Sequence, residues 1–470
     1  MSLLQACQLP FSSGTQLLLA INHLTWPILL DSDAALTSSN PTAMAGRFSI
    51  AAAAPSQQLK IYNQNQLAEL EQLRPLKNTS LVKESAFFNN PKLNTLPFIG
   101  GWLGYWSYDA GRLFEEQLFK EQLCKEKQQQ AKQDLNLPLI CMGYYDWALV
   151  TDHLLQETWL VGEFSQQLVA DITQRLNNKK TCQANSFKIT QPFVSNLSYA
   201  DYQTRFEQVQ ALLLSGDVYQ VNLAQRFSAS YQGDLYQAWQ LLREQISAPF
   251  AAFMDFDEAT ILSLSPERFL QATAEGQVET KPIKGTRPRG VTKEKDQQLA
   301  AELLSSSKDR AENLMIVDLL RNDLGKVCQT GSIQVPDLFT LESFTNVHHL
   351  VSRITGQLAA GKDNLDLLTA SFPGGSITGA PKLSAMQIID KLEPHQRSVY
   401  CGSIGYLDRR GGMDFNIAIR TFIAHQNQLH ISAGGGLVAD SNGAAEYQET
   451  LDKVSRLIRC LQPSFKSHPS

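Results

Sequence analysis

The 470-residue sequence is most informative first through what it lacks. Its seven cysteines, at 7, 124, 141, 182, 328, 401 and 460, include no CxxC pair. That removes the common zinc and dithiol patterns and suits a reducing compartment. No basic excess exists: the net charge is −5, so nothing offsets a phosphate backbone or an anionic membrane, and neither nucleic acid nor membrane is an expected partner. Long apolar runs are missing too. The stretch Leu17–Leu30 is interrupted by Asn22, His23 and Pro27 and has no basic region before it, fitting neither a signal peptide nor a membrane span; the cytoplasm is the expected location. No Walker A loop occurs, because in FPGGSITGAPK (372–382) Lys382 comes three residues after Gly379 instead of one, and no GxGxxG opens a helix.

What is present is a folded chain, 43% hydrophobic and 19% charged. Strands are expected at 16–30, 47–54 and within 139–163, with a glycine- and aromatic-rich segment at 97–112. The polar run 115–138 reads as an exposed helix or insertion. Residues 177–196 read as a linker between an N-terminal region (1–176) and a C-terminal body (197–465). That body opens with an amphipathic helix at 199–214, and further helices are expected at 308–322 and 443–461. Short strands at 400–407, 413–422 and 428–433, several joined by brief turns, favour antiparallel pairing and an α+β fold.

Chemistry-bearing residues concentrate in this body. Asp309 with Glu312, and Glu446 with Glu449, are i, i+3 pairs near helix starts. Acids there also serve as plain complements to the helix dipole. Two all-oxygen pairs nonetheless suit a hard cation such as Mg²⁺, shared with a substrate carboxylate. PIKGTRPRG (282–290) sets Lys284, Arg287 and Arg289 among prolines and glycines, either a surface turn or a close approach to an anion. A buried lysine beside other cations would favour its amine form and could act as base or nucleophile. AGGGLVAD (433–440) is either an anion nest or a tight turn. His349 is a lone candidate, and Arg420, among apolar residues of an expected strand, needs an anionic partner.

SPERF (265–269), PIKGTRPRG, KDRAENLMIVDLLRNDLGKV (308–327), FPGGSITGAPK, CGSIGY (401–406), the IR at 419–420, AGGGLVADS and EYQET (446–450) together resemble the chorismate-utilising enzymes: the anthranilate, aminodeoxychorismate, isochorismate and salicylate synthases. PILLDS (27–32), RFSIA and GGWLGYWSYD resemble the longer anthranilate and aminodeoxychorismate subgroup. The resemblance implies a layered α/β sandwich, two packed and largely antiparallel sheets flanked by helices. Lys284 stands where anthranilate synthases carry alanine, and GDVYQVNLAQRF (216–227) also resembles the aminodeoxychorismate type.

By the same resemblance, Mg²⁺ would bridge the substrate ring carboxylate to Glu312 and Glu449, with Glu446 and Asp309 assisting. Arg420, Tyr400, Gly434, Gly435, Gly436, Thr378, Lys453 and His349 would contact chorismate. Glu267 would be the general acid, and Lys284 would add to C2 before ammonia enters at C4. None of the cysteines sits in a glutaminase elbow, so a separate glutamine amidotransferase subunit, or free ammonia, is expected. An L-tryptophan pocket would be formed by Ser32, Arg47, Phe48, Pro249, Phe250 and Ala251, although Asp31 departs from the LLES pattern of tryptophan-inhibited relatives. The alternatives are anthranilate or isochorismate synthesis, or a non-catalytic subunit binding tryptophan or chorismate.

Overall fold

The computed structural model describes residues 4–32, 46–74, 90–114, 131–178, 186–344 and 347–466. Most of the polar run at 115–138 lies outside them. Its described tail is not helical: Ala131, Leu135 and Leu137 are buried, and the 131 and 132 amides donate to the Asp390 and Pro394 carbonyls.

Among the described residues two sheets, of twelve and ten strands, form an α+β sandwich whose strand pairings are antiparallel throughout. The expected strand over 16–30 is in fact α1 (Gly14–Ile21) followed by β1 (Ile28–Asp31). Ser13 and Gln16 form a capping box that satisfies amides at the helix start, and Leu17, Leu18 and Ile21 then fall on one buried face. β1 pairs with β2 (Phe48–Ala52). The amphipathic helix at 199–214 is α2 (Tyr199–Leu214), held at its start by a Ser198–Asp201 capping box. Then come β3 (Gln220–Gln232) and β4 (Phe250–Asp255). β5 (Ile283–Pro288) and β6 (Val347–Gln357) pair with each other. α3 (Ser307–Gly325), β7 (Gln428–Leu437) and α4 (Gly443–Leu461) complete the elements that frame the site.

The N-terminal and C-terminal regions share both sheets. Asp31 of β1 pairs with Ala251 of β4 in the larger sheet, and Trp106 pairs with Ser403 in the smaller. Within the expected linker, Lys188–Ser195 is a strand paired with β3, and 179–185 lie outside the described residues. The expected strand at 413–422 is also divided. Met413–Asn416 belongs to the smaller sheet and Thr421–His425 to the larger, so the chain crosses between layers at 417–420. A second crossing lies beside it, between Thr260–Ser265 and Arg268–Ala272. Two backbone hydrogen bonds join the crossings: the Ile417 amide donates to the Glu267 carbonyl (3.0 Å) and the Leu264 amide to that of Arg420 (3.0 Å). No helix among the described residues is long and apolar enough to cross a membrane.

Candidate active site

The paired crossings bring Glu267 and Arg420 into a cavity of about 1920 Å³, its open mouth included. β5 supplies Lys284, β7 supplies Gly434 and Gly436, and the first turns of α3 and α4 supply the acids. Tyr400, His349 and Lys453 also line it. Residues 153 positions apart thus meet because the chain changes sheets twice at one place.

Arg420 sits at the crossing with φ of 53°, a left-handed conformation that is rare for a non-glycine residue. This is why it lies outside either strand. Its guanidinium has no hydrogen-bond partner among the described residues and faces a chamber with Glu267 nearby; burial and then Arg456 lower its pKa. A half-desolvated, unpaired guanidinium is a ready anchor for a carboxylate.

Lys284 Nζ donates to the Ser376 carbonyl at 3.1 Å. Burial lowers its pKa, reinforced by Lys453, while Glu312, Glu267 and Glu449 pull the other way without prevailing. Glu267, only 6% exposed, is raised by burial against the opposing pull of Lys284 and of hydrogen bonds involving Ser376 and Ile283. Each group would favour the other's ionisation, yet desolvation dominates both. The pair is biased towards neutral amine and neutral acid. His349 accepts or donates a 2.9 Å bond with Thr286, and burial, Arg420 and His348 lower its pKa to about 3, so the ring is neutral.

The four acids separate into two groups. Glu312, Glu446 and Glu449 line the cavity; Glu446 and Glu449 face the bare Cα of Gly435, where a Cβ would lie 2.8 Å from Glu446 Oε2 and 3.9 Å from Glu449 Oε1. Burial raises Glu312 and Glu446, and their acidic neighbours raise both further. Burial also opposes the charge of Glu449, but Lys453, 2.7 Å away, brings its pKa below the usual value. Lys308 Nζ stands 3.9 Å from Glu312 and 4.0 Å from Glu446. Asp309 also lines the cavity, but it pairs with Arg287 at 3.1 Å, and glycine at 285 makes room for its carboxyl. Mutually repelling carboxylates around a shared space fit a hard divalent cation. Among the described residues they do not converge into a group of three that could hold a metal ion by itself. Asp309, already engaged, is the least suited of the four to bind directly.

Other expectations resolve unevenly. Thr378 does not line the cavity: it is buried, and its hydroxyl donates to the Gly374 and Gly375 carbonyls at 3.1 and 3.3 Å. AGGGL is strand, not a tight turn, and the Gly434 carbonyl accepts from Lys453 Nζ at 2.8 Å. Of the three basic residues Lys284, Arg287 and Arg289, Lys284 has no ion pair with a carboxylate among the described residues, whereas Arg287 pairs with Glu302 and Asp309, and Arg289 with Asp296. Ser376, Lys308 and Asn222 line the cavity without having been singled out from the sequence. Only their position inside motifs could have flagged them.

The residues expected around tryptophan border a separate cavity of about 650 Å³ between the sheets, lined by Ser32, Phe48, Pro249, Phe250 and Ala251. Arg47 is not among them. Its guanidinium is bonded to Asp152 through Nε and Nη2 and stacks 4.7 Å from the Phe48 ring centroid. Arg268, Gln271, Tyr406 and Asp414 of the smaller sheet supply the opposite wall.

Residues 29–459 match the family described as chorismate binding enzyme. The chain belongs to that family. It is therefore an enzyme acting on chorismate, and the cavity holding Lys284 and Glu267 is the candidate site for that chemistry. Aminodeoxychorismate synthase component 1 of Salmonella typhimurium strain LT2 is 46% identical over 449 residues, 94% of each chain. The protein of the same name from Klebsiella aerogenes is 50% identical over 367 residues, 78% of each. The crystal structure of anthranilate synthase component I from Streptococcus pneumoniae TIGR4 superposes with a TM-score of 0.74 at 30% identity, covering 90% of this chain and 93% of that one.

Proposed function

We propose that this chorismate binding enzyme aminates chorismate to 4-amino-4-deoxychorismate, on the route to 4-aminobenzoate and folate, with ammonia delivered by a separate glutamine amidotransferase subunit. The observation that carries the reading is the neutral-biased pair of Lys284 and Glu267 in one cavity. The names of the relatives support it, since "component 1" presupposes a second component.

The chemistry balances around that pair. The Lys284 amine adds to C2; the ring double bonds shift, the C4–O bond breaks, and Glu267 gives its proton to the departing hydroxyl, which leaves as water. Ammonia then bonds to C4, the double bonds shift back, and the C2–N bond breaks with its electron pair returning to the lysine. The new C4 ammonium passes one proton to the Glu267 carboxylate, and both side chains are restored. Arg420 would hold the enolpyruvyl carboxylate. Mg²⁺, when bound by Glu312, Glu446 and Glu449, would neutralise the ring carboxylate and polarise it as a Lewis acid.

Incubation with chorismate, Mg²⁺ and ammonium, followed by product identification, tests the reading. The expected product is 4-amino-4-deoxychorismate; without ammonia, some chain should become heavier by dehydrated chorismate, with the added mass on the Lys284 peptide. Anthranilate or isochorismate as the main product would overturn it, and glutamine-supported amination by the isolated chain would overturn the separate subunit.

A further inference from the structure

Asn222 enters the cavity from β3 directly opposite Gly436 of β7, and it is only 7% exposed. Three of its four hydrogen-bonding groups are already used. Its backbone amide donates to the Thr378 carbonyl at 2.8 Å, its Nδ2 donates to the Ile377 carbonyl at 2.9 Å, and its own carbonyl accepts from Arg397 Nη2 at 2.5 Å. The fourth, Oδ1, has no partner among the described residues.

The orientation of the amide is determined by a buried ion pair behind it. Arg397, paired with Glu393, also donates through Nη1 to the Ile377 carbonyl at 2.9 Å. Both lone pairs of that carbonyl therefore have donors. Flipping the Asn222 amide would set its oxygen against the Ile377 oxygen and forfeit a bond, so Nδ2 stays on the backbone and Oδ1 is turned to the chamber. Ile377 directly follows Ser376, whose carbonyl holds Lys284 Nζ. The free acceptor and the lysine are thus carried by one short stretch of backbone.

We propose that Asn222 Oδ1 seats the incoming ammonia for attack at C4 and favours it over water, an assignment that rests on the amination reading above. A neutral acceptor suits a ligand that donates hydrogen bonds. Ammonia donates through N–H and attacks with its lone pair before losing any proton. Water needs a base as it attacks, and an amide oxygen cannot take up a proton. As the C4–N bond forms, the nitrogen becomes positive, so its bond to Oδ1 strengthens in the transition state. In the balanced step, nitrogen gains the C4 bond, Lys284 recovers the C2–N electron pair, and the surplus proton goes to the Glu267 carboxylate; Asn222 gains and loses nothing.

The test compares the full-length chain with Asn222→Leu and Asn222→Ser, using ammonium as the nitrogen source. kcat/KM for ammonium is expected to fall roughly ten- to a hundredfold in each variant. The KM for chorismate and the yield of lysine adduct without ammonium should stay within about threefold, and the share of hydrated product should rise. Unchanged kcat/KM for ammonium in either folded variant overturns the assignment, as does an adduct loss as large as the amination loss, which would make Asn222 a holder of the ring. If the leucine variant does not fold, the serine variant, smaller and still polar, decides. Failure of the wild-type chain to form adduct or aminated product would instead sink the amination reading itself.

Discussion

The two cavities are built from the same two sheets yet treat charge in opposite ways. In the cavity between the sheets each charged wall residue is matched: Arg268 bonds to Asp414 at 3.0 and 3.1 Å and to Glu279 at 3.2 Å, and Asp31 pairs with Arg243 at 2.8 Å. In the candidate active-site cavity Lys284 rests on a neutral carbonyl, Arg420 has no hydrogen-bond partner among the described residues, Glu312 has only Lys308 at the limit of contact, and Glu446 adds to that lysine a 2.7 Å bond accepted from the neutral Ser441 hydroxyl. Paired charges make a wall that holds its shape. Charges left short of partners would keep binding energy for the proposed dianionic substrate and cation.

The most severe break in this contrast is Lys284→Ala. Turnover should fall about a thousandfold or more, with the melting temperature nearly unchanged, because the removed amine is reactive and not structural. Retained activity with no mass adduct would reduce Lys284 to a bystander. Next, Mg²⁺ should raise the melting temperature of the unmodified chain, and Glu312→Gln and Glu449→Gln should each abolish that rise and cut kcat by about a hundredfold or more. Magnesium-independent turnover would refute the shared-cation role.

The opposite outcome is expected in the matched cavity. Asp414→Ala strands Arg268 beside a single remaining acid and should cost about 3 kcal/mol of stability, read from the urea midpoint, while kcat per folded molecule changes little. A large loss of kcat at full stability would show that the two cavities are coupled. Filling this cavity with L-tryptophan should raise the melting temperature of the unmodified chain.

The smallest effect concerns pH. His349 is held neutral, with its pKa lowered from the ordinary 6.5 to about 3. Between these values the unfolded chain binds a proton that the folded chain does not. This contribution to stability is complete above pH 6.5 and drains away as pH falls towards 3. His349→Asn should flatten the acid side of the urea midpoint against pH. An unchanged slope would assign the acid sensitivity to other groups.

Much of the catalytic cavity was legible because its pieces are local. Glu446 and Glu449 share a face through helical spacing alone, and α4 spans 443–461 as its i, i+3, i+4 pattern predicts. Lys284 stood out because prolines and glycines around it suit a close approach to an anion, with a surface turn as the other reading. Two residues named through the resemblance have hydrogen-bond partners within the fold that their motifs did not show: the Thr378 hydroxyl bonds carbonyls three and four residues back in its own turn, and the Arg47 guanidinium bonds Asp152, 105 residues away.

By itself the sequence determined which residues are chemically able: the acids at helix starts, the lysine, the arginine among apolar neighbours and the motifs of a chorismate binding enzyme. Periodicity and capping are short-range, so these features survive in one dimension. Only the tertiary structure decided how they combine. The double crossing at 266–267 and 417–420 sets Glu267 and Arg420 side by side, and the interleaving of early and late strands makes one body of two expected regions. Arg397, buried behind the site, turns one free acceptor of Asn222 towards the chamber. Desolvation then lowers the pKa of Lys284 and raises that of Glu267, because burial is a property of the packed layers and not of any residue in the chain.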